Sequence, residues 1–232
     1  KTWWLMKNAR AIVAGSAHLA ATARNYNPSV SVVPTVVSRV RWTPRPGRLA
    51  GDLVEPGVPV LGWIGSHSTA RYLEAIVPAL WQLHDEGVRF RLRIIGAGED
   101  MRLGFPAEQV PWSLSREVEL FRELDIGLAP LPDDEWARGK CAFKQVQYLS
   151  VGVPCVTSPV GAAGRLVDEG LALGASDVRE WVRCISELIS DKSERARLSQ
   201  AGRTKVEDWL CEEVQAPRVV DILERAAGWS DG

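Results

Sequence analysis

The chain is expected to be an α/β protein, with a Rossmann-like parallel sheet covered by helices on both faces and preceded by the remnant of a second α/β unit. Three observations predict it. Strand-like and helix-like segments alternate over residues 58–209, the pattern of parallel strands joined by crossover helices. Residues 41–59 are rich in proline, glycine and arginine and show little periodicity, so they read as a linker. Upstream of them, residues 11–14, 17–26 and 31–33 form a strand, a helix and a strand, a unit too small to bury a core of its own.

The elements follow in a regular order. Residues 58–64 read as a first strand, 70–86 as a helix, 89–95 as a second strand, and Val110 as the centre of a short third. A helix over 113–124 leads to 126–129, whose short apolar run suits a buried parallel strand. Residues 142–151 carry apolar residues at helical spacing and are stopped by Gly152 and Pro154; 155–157 is the next strand. A short helix over 165–169 precedes a strand at 171–173. Two longer helices, 178–189 and 193–210, begin with Asp177-x-x-Glu180 and Asp191-x-x-Glu194, both shaped like capping boxes. The expected organisation is therefore a remnant unit over 1–42, a linker over 43–57, a main domain over 58–210 and a helical tail over 211–232.

Composition excludes several classes. With 232 residues, 46% hydrophobic and 25% charged, the chain is ordinary globular material long enough for one sizeable domain and an extra unit. Its 28 basic and 29 acidic residues leave a formal charge of -1, so no global field favours nucleic acid or a membrane surface. Cys141, Cys155, Cys184 and Cys211 are widely separated, without metal-ligand spacing, and read as reduced thiols. No apolar run approaches the roughly 18 residues of a membrane span, and the first residues carry no signal-peptide core. The expected location is cytoplasmic, with peripheral attachment to the inner face of a membrane kept open. Most of the ten tryptophans read as core or interface anchors; Trp3, Trp4 and Trp229, near the ends, read as contacts to something beyond the chain.

The most informative stretch is 125–161, where basic residues gather between a buried strand and a helix start. Arg138, Gly139 and Lys140 lie in that connection, and Lys144 follows one turn later. A helix start offers unpaired N–H groups and the positive end of the dipole, so these cations beside it suit a diphosphate or a carboxylate. The same chemistry suggests a second contact after the first strand. Gly62 and Gly65 let the backbone approach a ligand, and Ser66, Ser68 and Thr69 offer hydroxyls, although an ordinary helix cap would use the same residues.

The order of these motifs resembles the carboxyl-terminal, donor-binding half of retaining glycosyltransferases of the GT-B fold, in the group 1 family. GWIGSHST at 62–69 is similar to the family's first strand and glycine loop, and RLRIIGAGED at 91–100 to its strand followed by G-x-G. QYLSVGVPCVTSPVG at 147–161 is similar to its helix with Gly-x-Pro and the strand after it. Residues 1–42 resemble the last segments of the family's acceptor domain. The resemblance implies a nucleotide-diphosphate sugar as substrate, with no cofactor and no metal. It also implies an acceptor sugar or lipid-linked glycan, a partner amino-terminal domain and no nucleic acid.

It further implies roles for particular residues. Gly65, Ser66 and Thr69 would face the phosphates, and Pro111 and Trp112 would lie against the base, with a core position for Trp112 the alternative. Asp133, Asp134 and Glu135 would meet sugar hydroxyls or form a solvated loop. Two departures stand out. The family's paired glutamates fall here on Gly139 and Gln147, and its Arg and Lys after the first strand fall on the hydroxyl cluster. Arg138, Lys140 and Lys144 would then carry the diphosphate charge, with Gln147 in place of a carboxylate near the ribose or phosphate. No single catalytic residue follows. A lone loop histidine, His67, and the helix residues His18 and His84 lack partners in sequence. The alternatives are a non-catalytic nucleotide-binding or interaction module, and a nucleotide-sugar epimerase of the same fold, for which no carboxylate and histidine arrangement is visible.

Overall fold

The computed structural model describes residues 1–98 and 101–228; Glu99, Asp100 and Trp229, named above, lie outside them. The first unit comprises α1 (Thr2–Asn8), β1 (Ile12–Ala14), α2 (Ala17–Arg24) and β2 (Val30–Val32), with β1 and β2 paired in parallel. The Ser16 hydroxyl accepts the Leu19 N–H at 3.2 Å and so starts α2. The buried Asn27 amide donates to the carbonyls of Met6 and Ala9 at 2.9 and 2.7 Å, closing the end of α1 onto the turn before β2.

The main sheet has six parallel strands: β3 (Val60–Ile64), β4 (Arg91–Ile95), β5 (Glu108–Val110), β6 (Ile126–Ala129), β7 (Cys155–Thr157) and β8 (Leu173–Gly174). They lie in the order β5-β4-β3-β6-β7-β8. The chain builds outward from β3 to one edge, then returns and builds outward from β6 to the other. Their shared boundary is a topological switch point, where connections leave in opposite directions and a crevice opens.

Helices cover both faces, as the alternating segments require. They are α3 (His67–Ala70), α4 (Val77–Asp85), α5 (Glu117–Arg122), α6 (Glu135–Arg138), α7 (Phe143–Ser150), α8 (Ala162–Asp168), α9 (Val178–Ser190), α10 (Lys192–Asp208) and α11 (Glu212–Ala227). Leu61, Trp63, Ile94 and Leu128 pack with Leu80 of α4 and Ile185 of α9. Val60, Ile64 and Ala129 pack on the other face with Phe121 of α5 and Leu149 of α7. The period-2 alternation within β3 thus sends successive side chains into two cores. Tyr148 bridges strands on the second face: its hydroxyl donates to the Gly62 carbonyl at 2.9 Å, and its ring occupies the space a side chain at Gly127 would need.

Several elements differ from expectation for local reasons. The helix expected over 70–86 is α3, a 3-10 segment (Arg71–Ile76) and α4, because Pro78 in the first turn of α4 cannot extend an α-helix backwards. The helix expected over 113–124 is shorter, since residues 113–116 form a turn with the Arg116 N–H on the Ser113 carbonyl. Asp177 and Asp191 do cap their helices, accepting N–H groups at Glu180 and Glu194. α1 and the one-turn α6 lack apolar periodicity and were not expected.

Residues 43–57 lie against the main sheet. Arg48 is buried, with its guanidinium 3.3 Å from the buried carboxylate of Asp125. Asp125 also accepts the N–H groups of Val54 and Val60 at 2.7 and 2.9 Å, and Arg195 donates to the Gly51 carbonyl at 2.9 Å. A parallel bridge joins Val37 to Cys211, and Arg10 donates to the Ala226 carbonyl at 3.1 Å, so α11 runs back to the first unit.

Candidate functional site

At the switch point, past the carboxyl ends of β3 and β6, the surface opens into a cavity of about 650 Å³. That size suits a small-molecule site, and its place beyond the strand ends is where open α/β sheets bind ligands. It is lined by Ile64, Gly65 and Ser66 at the end of β3 and by Ala129, Pro130 and Leu131 at the end of β6. Cys141, Ala142, Phe143 and Lys144 at the start of α7 form one wall, and Trp112, Glu117 and Phe121 contribute another.

The start of α7 is unusual. Ala142 precedes it at φ 55°, the one non-glycine residue with positive φ among the described residues, and no side chain caps the helix. A left-handed alanine costs on the order of 1–2 kcal/mol. It leads the chain into α7, whose first residues Phe143, Lys144 and Gln145 line the cavity and whose first-turn N–H groups have no side-chain cap.

Both lysines that line this wall rest on aromatic rings rather than carboxylates. The Lys140 ammonium lies 5.2 Å from the centre of the Tyr72 ring, and that of Lys144 lies 4.1 Å from the Trp63 ring. Among the described residues neither has an ion-pair partner. Burial and then repulsion from Lys140 bring the Lys144 pKa down to about 7. An anion reaching this corner would meet both lysines and a helix start, with no carboxylate paired to either lysine among the described residues.

The structure distributes the expected residues unevenly. Gly65, Ser66, Thr69, Trp112, Lys140, Lys144 and Gln147 all line the cavity. The Ser66, Ser68 and Thr69 hydroxyls bond among themselves, at 2.9 Å for Ser66 to Ser68 and 3.4 Å for Ser66 to Thr69. Trp112 is 47% exposed, so it is a wall of the cavity and not a core residue.

Pro111, Glu135 and Arg138 do not line it. Pro111 is exposed outside the cavity. Arg138 closes a two-bond pair with Asp133 at 2.7 and 3.0 Å, which raises the guanidinium pKa and lowers that of the carboxylate. Asp134 is used as the cap of α6, accepting the Ala137 N–H at 2.7 Å. Glu135 points to the first unit, 3.9 Å from His18. The cause is α6: its single turn turns Arg138 back on the acidic residues before it. His67 is exposed and outside the lining.

Glu117 was missed from sequence. It stands in the first turn of α5 with its side chain 16% exposed, and one carboxylate oxygen accepts the Gln147 amide at 3.2 Å. An acidic residue at a helix start soon after Trp112 was the available signal, but its meeting with Gln147 spans 30 residues of sequence. Among the described residues no group of three His, Cys, Asp or Glu could hold a metal, and no helix is long and apolar enough to cross a membrane.

Six parallel strands wound both ways from one switch point, with a crevice above it, define a doubly wound α/β protein of the Rossmann-like kind. Residues 58–191 match the family described as Glycosyl transferases group 1, and the chain belongs to that family. No curated protein matches it. Among solved structures it is similar to sucrose-phosphate synthase from Thermosynechococcus elongatus, at 14% identity and a TM-score of 0.72 over 99% of this chain and 61% of that one. It is also similar to a glycosyltransferase from Rickettsia africae, at 14% identity and 0.72 over 95% of this chain and 64% of that one. Anabaena HepE in complex with UDP-glucose gives 13% and 0.75 over 95% of this chain and 65% of that one. These likenesses are of fold, the GT-B glycosyltransferase fold, and the chain spans less than two thirds of each of those proteins.

Proposed function

We propose that the chain is the donor-binding half of a glycosyltransferase that takes a nucleotide-diphosphate sugar and passes the sugar, with retention, to an acceptor sugar or lipid-linked glycan. The observation that carries this is the uncapped start of α7, set beside Lys140 and Lys144, which have no ion-pair partner among the described residues, at the switch-point cavity. The diphosphate would lie there, held by helix N–H groups and both ammonium groups. The base would stack on exposed Trp112. In HepE the bound compound is UDP-glucose, which fits a cavity of this kind.

Charge develops on the leaving diphosphate during transfer, and positioned cations stabilise it there. A charged hydrogen bond contributes roughly 1.5–3 kcal/mol and a helix terminus up to about 2, so this corner supplies several kcal/mol. Enzymes lower barriers by about 8 kcal/mol or more. The remainder would come from positioning the acceptor and excluding water, the work of an amino-terminal domain facing this one. In this scheme residues 58–210 hold the donor, 1–42 belong to the acceptor-side unit, 43–57 connect them and 211–232 form the returning tail. A cytoplasmic place beside the inner face of a membrane suits a lipid-linked acceptor.

Calorimetry with uridine, guanosine and adenosine diphosphates and their sugars tests this. One nucleoside diphosphate should bind with heat that the Lys140→Ala, Lys144→Ala double variant loses. Absence of binding by every one of them would overturn it and favour a non-catalytic interaction module, the reading that Gly139 and Gln147, standing where the family carries glutamates, would then support.

A further inference from the structure

A second cavity, of about 230 Å³, lies between the first unit and the main domain. Cys141 and Ala142 line both cavities, so the two share the wall that leads into α7. Residues 15–18, where β1 passes into α2, close one side of it together with the chain after β2; α8 and the end of α10 close the other. Most of its surface is apolar, supplied by Val32, Pro34, Val146, Leu166, Trp209 and Leu210.

The polar side chains in the lining are nearly all donors. The buried Ser16 hydroxyl accepts the Leu19 N–H at 3.2 Å and so keeps its own proton to give. Thr35 adds a hydroxyl and His18 a ring on the same side, and Arg165 and Lys205 stand on the side of the main domain. Glu169 is the one carboxylate that lines the cavity among the described residues, and it is shared by those two cations, 3.4 Å from Arg165 and 2.8 Å from Lys205. Two cations on a single carboxylate leave one positive charge over.

That lining suits neither a sugar nor a nucleoside diphosphate. A sugar needs acceptors for its hydroxyl protons, and the only carboxylate is already taken. A nucleoside diphosphate is too large for a space that holds roughly eight waters at about 30 Å³ each. What fits is a compact apolar body with one anionic acceptor group. We propose that this cavity is a second small-molecule site, which takes a small organic monocarboxylic acid. Its carboxylate lies at Arg165 and Lys205, completing the charge balance that Glu169 leaves open, and its body packs on Val146, Leu166 and Trp209.

The test is calorimetric titration of the chain with benzoate, phenylacetate and cyclohexanecarboxylate, each beside its neutral amide, and with inorganic phosphate as an anion lacking a body. At least one acid should bind about ten-fold or more tightly than its amide, the value of a charge-assisted hydrogen bond, and inorganic phosphate should not compete with it. Lys205→Gln should reduce that preference by about three-fold or more, less than a buried charge would give because Lys205 is partly exposed. Ala162→Phe and Ala17→Phe fill the cavity from the main domain and from the first unit, and should abolish binding while the chain still melts cooperatively. Should either filling variant fail to fold, the other and Lys205→Gln carry the test.

Absence of binding by all three acids would overturn the proposal. So would equal binding of acid and amide, competition by inorganic phosphate, or a preference for the acid that Lys205→Gln leaves untouched. Binding that survives in folded filling variants would place the acid elsewhere and overturn it equally.

Discussion

The Lys144 ammonium sits 4.1 Å from the centre of the Trp63 ring, with its pKa lowered to about 7 by burial and by Lys140. It is a charge kept at the edge of ionisation, and a diphosphate beside it would restore the proton. Nucleoside diphosphate binding should therefore take up protons just above pH 7 and weaken as pH rises further, because the ligand raises the pKa of the group it touches. Calorimetry in buffers of different ionisation enthalpy measures the uptake. Lys144→Met should abolish it, and equal heats in all buffers for the unaltered chain would contradict it.

The same lysine links stability to pH. Its folded pKa lies below its unfolded value of 10.5, so between about 7 and 10.5 the unfolded chain holds more protons and the contribution of this group to stability rises with pH. Below 7 the fold carries the whole cost of a buried charge. Lys144→Met should melt higher than the unaltered chain at pH 7, with the difference shrinking towards pH 10, in thermal melts recorded across that range.

Neighbouring cations should behave unequally. Lys140 lines the cavity with no ion-pair partner among the described residues, whereas Arg138 is committed to Asp133 at 2.7 Å. Lys140→Ala is expected to weaken diphosphate binding by about ten-fold or more, the value of a charge-assisted hydrogen bond. Arg138→Ala should change it by no more than about two-fold, since an exposed pair contributes little. Titration of both variants with the same nucleotide distinguishes them, and equal losses would mean that Arg138 reaches the ligand.

Ala142 holds φ at 55° immediately before α7. A β-branched side chain tolerates that conformation poorly, so Ala142→Val should destabilise the chain by on the order of 2 kcal/mol. It should also weaken diphosphate binding by tilting the first-turn N–H groups away. Denaturant unfolding together with calorimetry reads both effects, and an unchanged affinity would separate the strained alanine from the anion corner.

Asp125 balances Arg48 deep under the sheet, at 3.3 Å, and accepts two backbone N–H groups. Asp125→Ala would leave the buried Arg48 guanidinium without its counter-ion, although it still donates to the Leu124 and Arg122 carbonyls, and would leave two N–H groups without their acceptor, at a cost of about 3–5 kcal/mol. Asp125→Asn retains an acceptor oxygen and should lose less. Urea midpoints compare them, and a near-neutral alanine variant would show that residues 43–57 can leave the sheet freely.

Much of the main domain could be read in advance because it is written in local pattern. Ile126–Ala129 is apolar on both sides, as a strand covered on two faces must be, and Asp177 and Asp191 start helices through bonds to residues two or three positions away. Breaks that depend on one residue's chemistry were less visible, as with Pro78 dividing α3 from α4. Of the residues expected around the anion, Lys140 and Lys144 stand on the cavity wall because the α7 start carries them there. Arg138 turns away because a one-turn helix before it offers Asp133 at closer range.

Periodicity, caps and charge placement are short-range properties, and they were sufficient for the class of fold, the order of most strands and the presence of a cationic helix start. Which strand lies beside which, and hence where the crevice opens, depends on pairing across residues far apart in the chain. So does the meeting of Glu117 with Gln147, and of Lys144 with Trp63. Those contacts form only when two cores pack on opposite faces of one sheet, and no local pattern encodes the distance between side chains that packing alone brings together.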